Sequence, residues 1–383
     1  MLESQRDIIG DARVGLIANS ASVDPDGIPT ATLLADAGIR LSAILSPEHG
    51  YRGRSAAGEQ VPGGFDDDAG LPIFSLYGET RKPTAEMLRD IDALVFDMQD
   101  IGTRCYTYIW TMALAMQAAA FFGKLFVVLD RPNPLGGVAV QGPLLDPAFE
   151  SFLGMYSIPL RHGMTTGELA LMFNRHFGIG ANLAVIRMKG WRRRLWFSDT
   201  GLNWIAPSPA MGSIDSALPY AGTCLLEGTN ISEGRGTSAP FRLIGAPWLD
   251  GETMARISDD VKGLKLEGFD LTPQRFTPTD SKYAGVECAG FMINTVDREK
   301  ADPVALVTAL LTTIAMHHGD SLEWDETHFD RVAGTDGLRS EILAAASKER
   351  PERLRRLEQV FEGWGEQARE FDRSRAQFLL YEG

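Results

Sequence analysis

Short apolar runs bounded by polar turns, with helix-length segments between them, constrain this chain more than any other feature. Residues 14–18, 41–45, 73–77, 93–97, 125–129 and 182–188 have strand length and strand composition. Helical spacing fills the intervals at 30–37, 83–90, 106–122 and 169–177. Pro83 suits a first helical turn, and Thr165-Thr-Gly-Glu168 has the capping-box pattern. Buried strands of this length alternating with helices predict an α/β fold with a doubly wound parallel sheet.

From about Gly212 the rhythm changes. Gly, Thr, Ser and Pro dominate as far as Pro247, and a strand is expected at 291–294. Helices are expected at 303–317, 337–347 and 351–376, the last broken near Gly363-Trp364-Gly365. At 383 residues the chain has room for two domains. The expected division is 1–212 for the sheet domain and 213–383 for a smaller α+β domain that completes a cleft between them.

Composition narrows the partners. A net charge of −14 disfavours nucleic-acid backbones and anionic membranes. No run of about 18 apolar residues predicts a membrane span. Trp191-Arg-Arg-Arg-Leu-Trp196, the only tight basic run, reads as a solvated turn. Cys105, Cys224 and Cys288 are too few and too scattered for a disulfide framework. The first residues lack the basic and apolar regions of a signal peptide. The expectation is therefore a cytoplasmic protein as the sequence is written, or a periplasmic or secreted one if a leader has been trimmed.

Chemistry is expected where strands end, because ligands of open α/β sheets bind at the carboxyl edge. Ser46-Pro-Glu-His-Gly-Tyr-Arg-Gly53 puts Glu48, His49 and Arg52 just past one strand. Phe96-Asp-Met-Gln-Asp-Ile-Gly-Thr-Arg104 offers Asp97, Gln99, Asp100 and Arg104 past another, and Leu129-Asp-Arg-Pro-Asn-Pro offers Asp130, Arg131 and Asn133 past a third. Arg161-His-Gly-Met164 adds His162 before a helix start. Each polar group alone has a structural reading: Asp97 or Asp130 capping a helix or pairing with an arginine. Repetition at successive strand ends favours a shared cleft. Glu227-Gly-Thr-Asn-Ile-Ser-Glu-Gly-Arg-Gly-Thr237 supplies Glu227, Asn230, Glu233 and Arg235, suited to sugar hydroxyls or a carboxylate. Phosphate-loop, dinucleotide, nucleophile-elbow and His-Glu-x-x-His motifs do not occur, so no cofactor is expected. A metal site from His49, Asp97 and His162 is conceivable but has no diagnostic spacing.

Taken together and in order, these motifs resemble the NamZ-type exo-β-N-acetylmuramidases, a glycoside hydrolase family, over residues 14–381. The resemblance implies a Rossmann-like domain plus an auxiliary domain, with the site in the cleft between them. It implies release of N-acetylmuramic acid from the non-reducing ends of peptidoglycan fragments, and it places a catalytic glutamate at Glu48. Glycoside hydrolysis uses a proton-donating carboxyl and, as a rule, a second carboxylate. Candidates for the second are Asp97, Asp100 and Glu233, or the substrate's own acetamido group oriented by Asp97 or Asp100. A Glu48 beside an imidazole and shielded by Tyr51 suits an acid. The sugar's lactyl carboxylate suits a bidentate arginine, with Arg235 or Arg52 favoured over Arg131. His49, Gln99, Asp100, Asn133, His162 and Asn230 complete the expected binding set. A muropeptide-binding protein without turnover and a metal-dependent hydrolase are the alternatives.

Overall fold

A computed structural model describes residues 6–383 of the chain. In the first half, β1 (Arg13–Ala18), α1 (Thr30–Asp36), β2 (Arg40–Ser46), β3 (Gly64–Asp66), β4 (Leu71–Ser75), β5 (Ala93–Asp97), α2 (Tyr108–Phe121) and β6 (Leu125–Leu129) follow in order. β7 (Gln141–Leu144) and β8 (Pro159–Arg161) pair as a separate antiparallel ribbon. After α3 (Thr166–Arg175), β9 (Asn182–Ile186) returns to the main sheet, whose strand order is β3-β4-β2-β1-β5-β6-β9. All of its neighbours are parallel except β3, an antiparallel edge strand.

The strands are apolar on both faces, as burial under two helical layers demands. Val14, Leu16, Val95 and Val127 pack on the α1 side, while Ile17, Leu45, Leu94 and Phe96 pack on the α2 side. The chain runs outward from β1 through β2 to β4, then crosses to β5 and runs the other way. That reversal lies between β1 and β5 and opens a crevice at their carboxyl ends.

The second half contains α4 (Ala217–Thr223), β10 (Leu243–Ala246), α5 (Gly251–Gly263), β11 (Phe269–Phe276), β12 (Cys288–Thr295), α6 (Pro303–His318), α7 (Glu326–Ala333), α8 (Gly337–Ala346) and α9 (Arg350–Arg375). Its sheet is antiparallel, in the order β10-β12-β11. Asp302 caps α6, accepting from the N–H groups of Val304 and Ala305, and Pro303 fills the first turn. Leu306, Val307 and Leu310 of α6 join the same apolar core as Trp110 of α2 and Phe291 of β12. Arg104, fully buried, adds four bonds to the carbonyls of Pro143, Ile158, Val332 and Ala333, so it ties the first half to α7.

Several local expectations fail for identifiable reasons. Residues 83–90 form successive turns: only Pro83 and Leu88 are buried there, too little to hold so short a helix. β4 ends at Ser75 rather than Tyr77. α9 runs unbroken through Gly363 and Gly365, which lie on an open surface where no neighbour forces a bend. The basic run is solvated at Arg192 and Arg194 but not at its centre. Arg193 is buried and donates to Glu168 at 2.6 Å and to the carbonyls of Gly137 and Gly163.

Candidate active site

β2 and β4 pair at Ser46 and Ser75, and the Leu76 N–H donates to the Ser46 carbonyl at 2.8 Å. Glu48 and Tyr77 each stand two residues beyond that last pair. They therefore emerge side by side. Pro47 ends the ladder, and His49 follows in the left-handed region at φ 69°, a conformation unusual for a side chain larger than asparagine. The bend turns Glu48 inward. The Gly58 N–H donates to Glu48 Oε1 at 2.8 Å, and Thr107 Oγ1, just before α2, donates to Oε2 at 2.7 Å. Glu48 is 7% exposed. Burial, then the Glu48 charge, raises the Tyr77 phenol to about 12, so it stays protonated at neutral pH.

The loop after β5 brings a second carboxylate. Gly102 (φ 82°) lets this loop pack on Asn133, since a Cβ there would lie 2.4 Å from Asn133 Oδ1. Asp100 Oδ2 accepts from the Gly102 N–H at 2.7 Å, while Oδ1 is buried and makes no hydrogen bond within the protein. The Tyr106 hydroxyl, Thr103 Oγ1 and His162 Nε2 share that condition. His162 Nδ1 accepts from the Met164 N–H, so Nε2 carries the ring proton; it faces Asp100 Oδ2 at 3.6 Å, too far for a hydrogen bond. Tyr108 connects the two carboxylates. Burial raises its phenol first, and the charges of Glu48 and Asp100 add to the shift. Its hydroxyl and Asn19 Nδ2 both donate to the Pro207 carbonyl. Unpartnered buried polar atoms cost about 1–3 kcal/mol each. Their concentration around Asp100 makes this a buried cluster of unpartnered polar groups, which stable folds seldom keep without a use.

Other expected residues are occupied. Asp97 accepts from Arg131 at 2.5 and 2.9 Å and from Thr30 at 2.5 Å, so it is held in an ion pair. Glu233 lies in the second half, paired with Arg235 at 3.1 Å and Lys282 at 2.9 Å. Arg235 also binds Glu227 at 2.6 Å, so its charge is matched twice over. Arg52 turns outward to Asp66 and Asp68, each at 3.5 Å. Tyr51 packs on the α1-side core, and the shielding beside Glu48 comes from Tyr77 instead. Gln99 donates to the carbonyls of Asp100 and Pro132, Asn133 braces the 164 and 135 backbone, and Asn230 braces residues 321 and 323. Asp130 takes the structural role open to it, accepting from Thr165, Thr166, the Gly167 N–H and Tyr381 at the start of α3. His49 Nδ1 is engaged at 2.7 Å by the Ser55 carbonyl. His49, Asp97 and His162 thus serve three separate partners, and no metal-binding cluster occurs among the described residues.

A cleft of about 1010 Å³ lies on the α1 side of the sheet edge, lined by Val23, Thr30, Asp97, Gln99, Arg131 and Trp204. Glu48 and Asp100 do not line it. Within it Asp97 and Arg131 are paired with each other, whereas Asp26, Asp36 and Lys189 line it without an ion pair among the described residues. Sequence reasoning missed Thr107, Tyr77, Tyr106 and Tyr108. The signal was Tyr106-Thr-Tyr108, three hydroxyl-bearing residues opening an otherwise apolar helix.

Fold and site define a two-part α/β protein with two buried carboxylates, Glu48 and Asp100, beyond the strand ends of a doubly wound sheet. Two family models match end to end: "Exo-beta-N-acetylmuramidase NamZ, N-terminal" over residues 14–215 and "Exo-beta-N-acetylmuramidase NamZ, C-terminal" over 218–381. The chain belongs to the NamZ family. It is 42% identical over 371 residues to the peptidoglycan β-N-acetylmuramidase NamZ of Bacillus subtilis (strain 168), covering 96% of this chain and 87% of that protein. Crystal structures of two DUF1343 family proteins from Bacteroides fragilis superpose over 100% of this chain and 97% of each of theirs. Their TM-scores are 0.89 at 35% identity and 0.77 at 27% identity.

Proposed function

We propose that the protein is an exo-acting β-N-acetylmuramidase that removes N-acetylmuramic acid from peptidoglycan fragments, with Glu48 as general acid/base and Asp100 as the second carboxylate. The observation that carries this reading is the buried Glu48 held at both oxygens, with the unpartnered Oδ1 of Asp100 on a carboxylate that acts on the same Tyr108 phenol. Family membership across both halves, and the activity named for the Bacillus relative, supply the substrate class.

The chemistry suits the side chains. Protonated Glu48 gives its proton to the glycosidic oxygen as the bond to the anomeric carbon breaks. The Thr107 hydroxyl can accept as well as donate, so it stays bonded in both protonation states of Glu48. Tyr77, protonated throughout, holds a donor beside the carboxyl. Asp100 Oδ1 faces the developing oxocarbenium charge directly or orients the sugar's acetamido group, and His162 Nε2 and Tyr106 take hydroxyl groups.

The test is product analysis. Wild-type protein incubated with a disaccharide carrying N-acetylmuramic acid at its non-reducing end should release the free sugar. No release on prolonged incubation, with the ligand nonetheless bound, would replace this reading with a binding protein.

A further inference from the structure

Arg52, Arg131 and Arg235 are all committed to carboxylates of the protein itself, so none is open to an anionic substrate. Arg81 is. Its guanidinium carbon lies 5.0 Å from the ring centre of Tyr77 and 4.3 Å from that of Phe152, in a cradle of two aromatic faces. Among the described residues it makes no ion pair within 4.0 Å, and its polar neighbour is the Tyr77 hydroxyl. The two rings hold the guanidinium in place while leaving most of its five donors free. Tyr77 also stands next to Glu48, so the exposed Arg81 sits one aromatic ring away from the proposed acid.

We infer that Arg81, held by Tyr77 and Phe152, is the carboxylate-recognising residue of the sugar site and reads the lactyl carboxylate that distinguishes N-acetylmuramic acid from N-acetylglucosamine. This rests on the muramidase reading for the identity of the ligand, and it adds a specificity residue on a segment that no motif singled out. The planar fork accepts a carboxylate through two parallel N–H···O bonds, which neither a lysine nor a neutral side chain reproduces. Arg81 is exposed, so solvent screening holds its expected contribution to about tenfold in affinity.

The test is calorimetric binding of three small ligands: N-acetylmuramic acid, its lactyl methyl ester and N-acetylglucosamine. Wild type should bind the acid about tenfold more tightly than the other two. Arg81→Met should bind all three alike, and Arg81→Lys should recover only part of the preference. Because Arg81 lies on the surface, both variants should melt within about 2 °C of wild type. An Arg81→Met protein that keeps its preference for the acid, or one that weakens equally toward all three ligands, overturns the inference. Binding requires no turnover, so a protein that hydrolyses nothing yet loses carboxylate preference in Arg81→Met would refute the enzymatic reading and leave Arg81's role intact.

Discussion

Asp97→Ala should cost the protein stability rather than catalytic chemistry. The Asp97 side chain is 3% exposed, and its two oxygens take both bonds from Arg131 as well as the Thr30 hydroxyl. Truncation strips Arg131 of its counter-charge and leaves the Val23 carbonyl, at 2.9 Å, as its remaining partner. Breaking a buried pair from one side costs about 3–5 kcal/mol. Arg131 keeps some access to water, its side chain being 19% exposed, so the lower end applies. A loss of about 3 kcal/mol, at roughly 2–4 °C per kcal/mol for units of this size, lowers the melting temperature by about 6–12 °C. Asp97→Asn keeps the shape and one acceptor and should cost about 1–2 kcal/mol. Calorimetric melts give the stability, and turnover measured well below each midpoint should stay within about threefold of wild type. An Asp97→Ala protein that melts like wild type while losing more than a hundredfold in kcat would refute the ion-pair assignment and make Asp97 a catalytic carboxylate.

Two further outcomes follow from the site and its supports. Thr107→Val removes the donor to Glu48 Oε2 without changing volume; kcat should fall about tenfold with the melting temperature little changed, and unaltered kcat would detach Thr107 from the acid. Burial raises the Asp130 carboxyl to about 6, so the folded state binds its proton more tightly than the unfolded chain does. The stability this gives is present below about pH 4 and lost as pH rises through about 6, by up to about 3 kcal/mol. Chemical denaturation should therefore show the difference between wild type and Asp130→Asn shrinking from pH 4 to pH 7, and a difference that grows would reverse the assignment.

The sheet was legible because its strands are short, apolar on both faces and punctuated by turns, so periodicity and burial agree. The antiparallel sheet of the second half was harder. Only the region of β12 stood out, because β11 has a run of exposed residues, Thr272 to Arg275, on both its faces and β10 is four residues long. Within the site, Glu48 and Asp100 were visible as polar residues past strand ends. Their partners were not. Thr107 and Tyr77 reach Glu48 from segments 59 and 29 residues away, brought there by strand order rather than by spacing. Candidate arginines were judged by motif, whereas what decides an arginine's availability is the carboxylate beside it, and that is set by tertiary structure. Asp130 shows the same limit from the other side: a charged residue at a strand end can serve entirely to hold the helix that follows.

Glu48→Gln, assayed on two kinds of β-linked N-acetylmuramic acid glycoside, tests the central assignment most directly. One glycoside has a sugar leaving group that needs a proton, and the other has a dinitrophenyl leaving group that does not. General-acid catalysis contributes about 100- to 10,000-fold. The variant should lose that much on the sugar glycoside, far less on the dinitrophenyl glycoside at the bond-breaking step, and should keep its fold. Full activity on the sugar glycoside in a folded Glu48→Gln protein would contradict the assignment of Glu48 as the acid.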